Sequence, residues 1–211
     1  MECLETIVQL KCLKMQTLIF ATQNPNKAKE VASMLDGKMD VKCLKDLNID
    51  IEIPEPHDSL EKNASEKSKT IHQLTGNACF GEDTGLEVDA LSGAPGVKTA
   101  RFAGEKATAA ENMELLLTKM ATENNRKARF RTVISLMLEN GDEYLFEGIC
   151  EGNIALRQSG QAGFGYDPVF IPEGSEIPFA EMSLEEKNIF SHRKKAMAKL
   201  LAFIQSQYGE N

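Results

Sequence analysis

The sequence has no apolar run approaching the roughly 20 residues that a membrane-crossing helix requires, which excludes a helical span. It has no basic surplus either: 24 Lys and Arg stand against 32 Asp and Glu, a net charge of -8. That is the wrong sign for a surface gripping a nucleic-acid backbone. There is no C-x-x-C pair. The five cysteines, Cys3, Cys12, Cys43, Cys79 and Cys150, are odd in number and scattered, which fits reduced thiols in a cytoplasmic protein better than a disulfide frame or a zinc site. Tryptophan is absent, as are internal repeats, low-complexity tracts, long linkers and any G-x-x-x-x-G-K-[ST] loop, so the Walker A route to phosphate binding is closed. Residues 1–14 mix Glu2, Glu5, Lys11 and Lys14 with apolar residues and lack the apolar core and small-residue cleavage site of a secretory signal. They are expected to be a dispensable extension before Met15, with one domain over residues 15–207 and a short tail over 208–211.

What is present is ordinary for a globular protein: 211 residues, 42% hydrophobic and 27% charged, enough to bury one substantial core. Thr17, Leu18, Ile19, Phe20 and Ala21 form a short apolar run of buried-strand type. Asn24 and Pro25 then suit the N-cap and first position of a helix whose Ala28, Val31, Ala32 and Leu35 recur at helical spacing. Asp58 and Glu61 stand at capping-box spacing and predict a polar helix to about Thr75. Thr108 and Glu111 predict another, with Met113, Leu116, Leu117 and Met120 on one face. Two β-type runs, residues 129–138 and 143–156, flank Asn140-Gly141, a strong hairpin signal. Ser183 and Glu186 open the last helical stretch, in which Met197, Leu200, Leu201 and Ile204 are in register and a restart falls between Ser191 and Lys195. The sum is one α/β unit with a prominent antiparallel hairpin.

Four polar motifs sit at the ends of these elements, where sites are usually built. Thr22, Gln23, Asn24, Pro25, Asn26 and Lys27 place free backbone amides and a lysine at a helix N-terminus, which suits a phosphate, although the same residues also make a well-capped helix. Glu55 stands between Pro54 and Pro56 in an extended loop, and Asn63 and Lys67 share one helix face. Glu82 and Asp83 follow Ala78-Cys79-Phe80 and precede Thr84 and Gly85. Acids are costly at the end of a buried strand unless paired, and a metal ion is the usual reason to keep them. Side chains alternate along a strand, so the two acids cannot point the same way without a bend. Last, Gly163, Phe164, Gly165, Tyr166, Asp167 and Pro168, with Lys187 and Ser191-His192-Arg193, combine a backbone open to close approach, a flat ring and polar groups. That set fits a nucleobase slot. It is not a dinucleotide fingerprint, since the third glycine is missing.

Together these residues resemble the inosine triphosphate pyrophosphatase family, the dITP/XTP pyrophosphatases. In order come T-x-N-x-x-K (Thr22, Asn24, Lys27), Glu55, Asn63-Ala64 with Lys67, E-D-T-G-L from Glu82, G-A-P-G from Gly93, and T-A-R-F-A-G from Thr99. F-G-Y-D-P from Phe164, A-E-M from Ala180, E-K-N from Glu186 and S-H-R from Ser191 complete the series. The resemblance spans residues 16–204. It implies an elongated mixed β-sheet flanked by helices, two lobes with the site in the cleft between them, and a homodimer. It also implies Mg²⁺-dependent cleavage of ITP, dITP and XTP to the monophosphate and pyrophosphate. Asp83 would be proton acceptor and Mg²⁺ ligand, with Glu55 and Glu82 joining the metal site. Residues 22–27 and Lys67 would hold the triphosphate. Thr84, residues 164–167, Lys187, His192 and Arg193 would bind the nucleotide, Phe164 stacking on the base and His192 and Arg193 reading its 6-oxo edge. Gln23 stands where many members have glycine, and Thr84 replaces a common serine. Two other readings stay open. A Maf-like pyrophosphatase for other modified nucleotides is opposed by the F-G-Y-D-P and S-H-R motifs. A non-catalytic nucleotide sensor is opposed by the intact acid set.

Overall fold

Strand β1 (Thr17–Phe20) buries Leu18, Ile19 and Phe20, as its apolar run demands, between two parallel neighbours: β2 (Asp40–Cys43) and β3 (Cys79–Val88). The structure is a computed structural model that describes residues 17–35 and 39–208. The expected extension over residues 1–14 therefore lies outside the described residues, as does the tail beyond Tyr208. After β1 the chain enters α1 (Pro25–Leu35), where Asn24 Oδ1 accepts from the amides of Asn26 (2.9 Å) and Lys27 (3.3 Å). The N-cap and Pro25 are thus placed as the sequence predicts.

Helix α2 (Leu60–Thr75) starts one residue later than expected. Its N-cap is Ser59, whose hydroxyl accepts from the Lys62 amide, and not Asp58. The cause is reach, since the cap oxygen must meet the amide three residues on. A short strand β4 (Pro95–Gly96) pairs with β3, and α3 (Ala109–Lys119) carries both arms of the Thr108–Glu111 capping box. The hairpin forms around Asn140-Gly141 as β5 (Lys127–Met137) and β6 (Glu143–Ile154), and β6 continues the sheet to β7 (Phe170–Pro172). The last stretch divides into α4 (Leu184–Phe190), with its Ser183–Glu186 capping box, and α5 (His192–Tyr208). No described helix is long and apolar enough to cross a membrane.

Among the described residues the strands form one mixed sheet in the order β2-β1-β3-β5-β6-β7. β3 runs antiparallel to β5 from Cys79↔Met137 to Val88↔Ala128. One core cluster gathers Phe20, Val31, Phe80, Ile134, Met197 and Leu200; another gathers Leu86, Leu116, Phe130, Phe170 and Phe179. β3 and β5 thread both, so two packed halves share a continuous sheet.

Two glycines set the spacing of helix against strand. A Cβ on Gly81 of β3 would lie 2.3 Å from the Ala64 carbonyl oxygen and 2.8 Å from the Ser68 nitrogen, both in α2. One on Gly148 of β6 would lie 2.0 Å from the His192 oxygen and 2.5 Å from the Ala196 nitrogen, in α5. Only a residue without a side chain lets either helix come so close.

Candidate active site

The period-two alternation of β3 decides the site. Gly81 and Asp83 face α2, whereas Glu82 and Thr84 face α5. A cavity of about 550 Å³ reaches both sets. It is lined by Thr22, Gln23, Asn24, Asn26 and Lys27, by Glu55 and Lys67, by Glu82, Asp83 and Thr84, by residues 164–167, and by Lys187, His192 and Arg193. Of the residues expected to hold the metal, the triphosphate or the nucleotide, Pro25 alone stays outside this lining; it is exposed on the first turn of α1.

On the α2 side, Asp83 accepts from Asn63 Nδ2 (3.2 Å) and from Lys67 Nζ (3.2 Å). Lys67 also reaches Glu55 Oε1 at 2.5 Å and the Glu82 carbonyl oxygen at 2.9 Å. One ammonium therefore serves two carboxylates. Burial raises the Asp83 pKa above the ordinary carboxylate value, and Lys67 offsets this only in part. Burial also acts upward on Glu55, but Lys67, Lys27 and Arg101 together outweigh it and the net shift is downward. Lys67 itself would be lowered by burial, yet Asp83 and Glu55 hold it raised.

On the α5 side, Glu82 receives a fork from Arg193, Nε to Oε2 at 2.7 Å and Nη2 to Oε1 at 2.8 Å. Lys27 approaches Oε1 at 3.3 Å and the Thr84 hydroxyl donates to it at 2.7 Å. Burial alone would raise Glu82, but Arg193 and Lys27 drive it well below its usual value. Arg193 Nη1 also bonds Glu30 of α1, and Nη2 lies 3.4 Å from the Thr84 hydroxyl oxygen. Four of its five N–H groups are thereby engaged inside the protein. Lys187 Nζ bridges Glu30 (2.8 Å) and Asp167 (2.6 Å) and lies over the rings of Phe164 and Phe179. Burial pushes Asp167 up, against the pull of Lys187. Burial lowers Lys27, with Glu82 opposing.

His192 stacks on Phe130 at 4.7 Å. Burial, then Arg193 and Lys187, press its pKa well below the usual histidine value, so the ring is neutral. Its Nδ1 is the single buried side-chain nitrogen or oxygen, among the described residues, without a hydrogen-bond partner. A buried polar atom left unpaired is costly unless something else supplies the partner, and His192 lines the cavity.

The three acids divide two and one. Among the described residues no group of three His, Cys, Asp or Glu side chains is gathered as a metal cage. Glu55 and Asp83 stand together around Lys67, and Glu82 is tied to Arg193 on the other face. Mg²⁺ usually takes one or two carboxylates and completes its shell with water and substrate phosphate. The Glu55–Asp83 pair fits such an ion.

Several contributors had no role assigned from the sequence. Asn63 holds Asp83 and, through Oδ1 and Nδ2, both backbone groups of His57. Glu30 ties α1 to α4 and α5. Val97, Thr99, Ala100, Ala109, Asn112 and Phe130 also line the cavity. Asn63 was visible as the partner of Lys67 on one helix face, but nothing local marked Glu30, whose partners lie more than 150 residues away.

The fold and the cleft define a mixed-sheet α/β protein whose cation-lined pocket is sized for a polyanion and backed by two buried acids. The chain belongs to the Ham1 family, whose model matches residues 18–203. It is 48% identical over 191 residues to the dITP/XTP pyrophosphatase of Porphyromonas gingivalis, covering 90% of this chain and 98% of that one. The solved structure of the Staphylococcus aureus Ham1 protein superposes with a TM-score of 0.82 at 32% identity, over 91% of this chain and all of the other. A Mycobacterium abscessus structure, described as a nucleoside-triphosphatase and dITP/XTP pyrophosphatase, gives 0.71 at 38% identity, over 88% and 99%.

Proposed function

We propose that the protein hydrolyses the deaminated purine nucleotides ITP, dITP and XTP between the α- and β-phosphates, releasing the monophosphate and pyrophosphate. The observation that carries this reading is the union, in one cavity, of the residue 22–27 loop with an under-neutralised carboxylate, Asp83. The names of the relatives point the same way. The loop amides, Lys27 and Lys67 hold the triphosphate by charge and hydrogen bonds. Asp83 takes the proton from the attacking water, and a group whose pKa is raised by burial is a better base than an ordinary carboxylate. Glu55 and Asp83 would hold Mg²⁺, which supplies charge neutralisation on the phosphates when bound. Glu82 acts by fixing Arg193 and Lys27.

The base lies against Phe164, and His192, with the one N–H that Arg193 has left, reads the 6-oxo oxygen. A neutral imidazole carries one N–H, and a proton on Nδ1 would make the unpartnered atom a donor. A 6-amino group offers a donor in its place, and a pocket left with unpaired donors discriminates by about 10⁴–10⁵. The same reading carries a homodimer, a cytoplasmic location, one catalytic unit over residues 15–207 and a role in removing these nucleotides from the pool. Pyrophosphate release from ITP, XTP, dITP, GTP and ATP with Mg²⁺ is the direct test. Turnover of ITP, dITP and XTP with ATP slower by orders of magnitude is expected, and equal rates on ATP and ITP would overturn the specificity.

A further inference from the structure

Glu55 rides on a strap, residues 49–57, that lines the cleft outside every strand and helix. Ile49, Ile51 and Ile53 rest on a core cluster with Leu44 and Ile71. Among the described residues no backbone–backbone hydrogen bond reaches residues 50–57. Side chains from three other elements hold the strap instead. Gln23 Nε2 donates to the Ile51 carbonyl oxygen at 2.7 Å, and Asn63 takes both backbone groups of His57. The third staple is Arg101, in the T-A-R-F-A-G motif to which no role has been given.

Arg101 holds Glu55 twice. Nη2 donates to its backbone carbonyl oxygen (3.3 Å) and Nη1 to Oε2 (3.4 Å), while Nε faces Glu105 at 3.6 Å. Oε1 remains turned to Lys67. Arg101 is not among the side chains lining the cavity, so it touches the cleft only through Glu55. The flanking residues, Pro54 and Pro56, have no N–H with which to anchor the backbone there. No other side chain among the described residues holds both the main chain and the carboxylate of Glu55.

We infer that Arg101 is a positioning residue for Glu55, presenting one carboxylate oxygen to the cleft and thereby setting the affinity for the divalent cation. The inference rests on the assignment of Glu55 to the metal site. Partners that orient a ligand are commonly worth about 10–100-fold in metal affinity, and Arg101→Gln should lose that much.

The test titrates Mn²⁺ alone onto the full chain, with free Mn²⁺ read by electron paramagnetic resonance, for the parent, Glu55→Gln, Arg101→Gln, Arg101→Lys and the Glu55→Gln/Arg101→Gln double variant. Binding of ITP in EDTA is measured in parallel. Arg101→Gln should weaken Mn²⁺ while leaving metal-free ITP affinity within about twofold, and it should add less than about twofold in the Glu55→Gln background, since two residues acting through one contact are not additive. Arg101→Lys, which keeps the charge without the fork, should fall between parent and Arg101→Gln, and it carries the test if Arg101→Gln does not fold. Weak Mn²⁺ binding in Glu55→Gln beside parent-like binding in the Arg101 variants would overturn the inference alone. Equal, additive losses in both backgrounds would also overturn it. Parent-like binding in Glu55→Gln would overturn the metal assignment of Glu55, and the role of Arg101 with it.

Discussion

The two faces of β3 handle adjacent carboxylates in opposite ways. Glu82 and Asp83 are buried almost equally, at 2% and 5% exposure, so burial does not separate them. Partners do. Glu82 takes a bidentate guanidinium, an ammonium and a hydroxyl, and is driven well down. Asp83 shares one lysine with Glu55, receives an amide and is pushed up. The face on which two cations meet Glu82 makes a fixed strut. The face on which one lysine serves two acids leaves a carboxylate able to accept a proton, and the proposed chemistry is placed there.

The sharpest way to break this comparison is Asp83→Asn. Turnover of ITP should fall by about 10²–10⁴-fold, the usual worth of a placed base, while equilibrium binding of ITP in EDTA stays close to the parent. Near-parent turnover would remove Asp83 from the base role. Glu82→Gln should act on the opposite quantity. It leaves the buried Arg193, and Lys27 beside it, short of a counter-charge, a loss of about 3–5 kcal/mol, seen as a lower denaturant midpoint at unchanged m-value. An unchanged midpoint would show that Glu82 is no strut. His192 gives the smallest effect. Its folded pKa is depressed, so below about pH 6.5 the unfolded chain binds a proton that the folded chain refuses. The associated stability is fully present above that value and is lost as pH falls below it, by at most about 1.4 kcal/mol per pH unit. The parent's denaturant midpoint relative to that of His192→Gln should therefore fall as pH drops through that window, and a constant difference would mean that the ring titrates normally.

Local physics was legible in the sequence wherever the cause was itself local. Asn24-Pro25, the capping boxes at Thr108 and Ser183, and Asn140-Gly141 each specify backbone geometry within a few residues, and each stands where expected. The alternation of Glu82 and Asp83 was legible for the same reason. Asp58 against Ser59 shows the grain of such reasoning: neighbouring residues both able to cap differ only in which oxygen reaches the amide. The family resemblance implied one metal set of Glu55, Glu82 and Asp83, but how the three acids group depends on which helix packs on which face, and that is tertiary. Gln23, which stands where many members of the family have glycine, turns its amide to the strap. Glu30 looked like any charge on a helix until residues 157 and 163 positions away closed on it.

Gly81 and Gly148 carry a consequence for how such a molecule can change over generations. At most positions a new methyl group is absorbed by a neighbour's rotamer. At these two it meets main-chain atoms of a helix, so the smallest chemical change becomes a displacement of the whole element bearing Asn63 and Lys67, or His192 and Arg193. Variation is then steered away from the frame and toward the side chains of the cavity wall. A lineage can retune what it accepts while inheriting, unaltered, the clearances that seat both helices on the sheet.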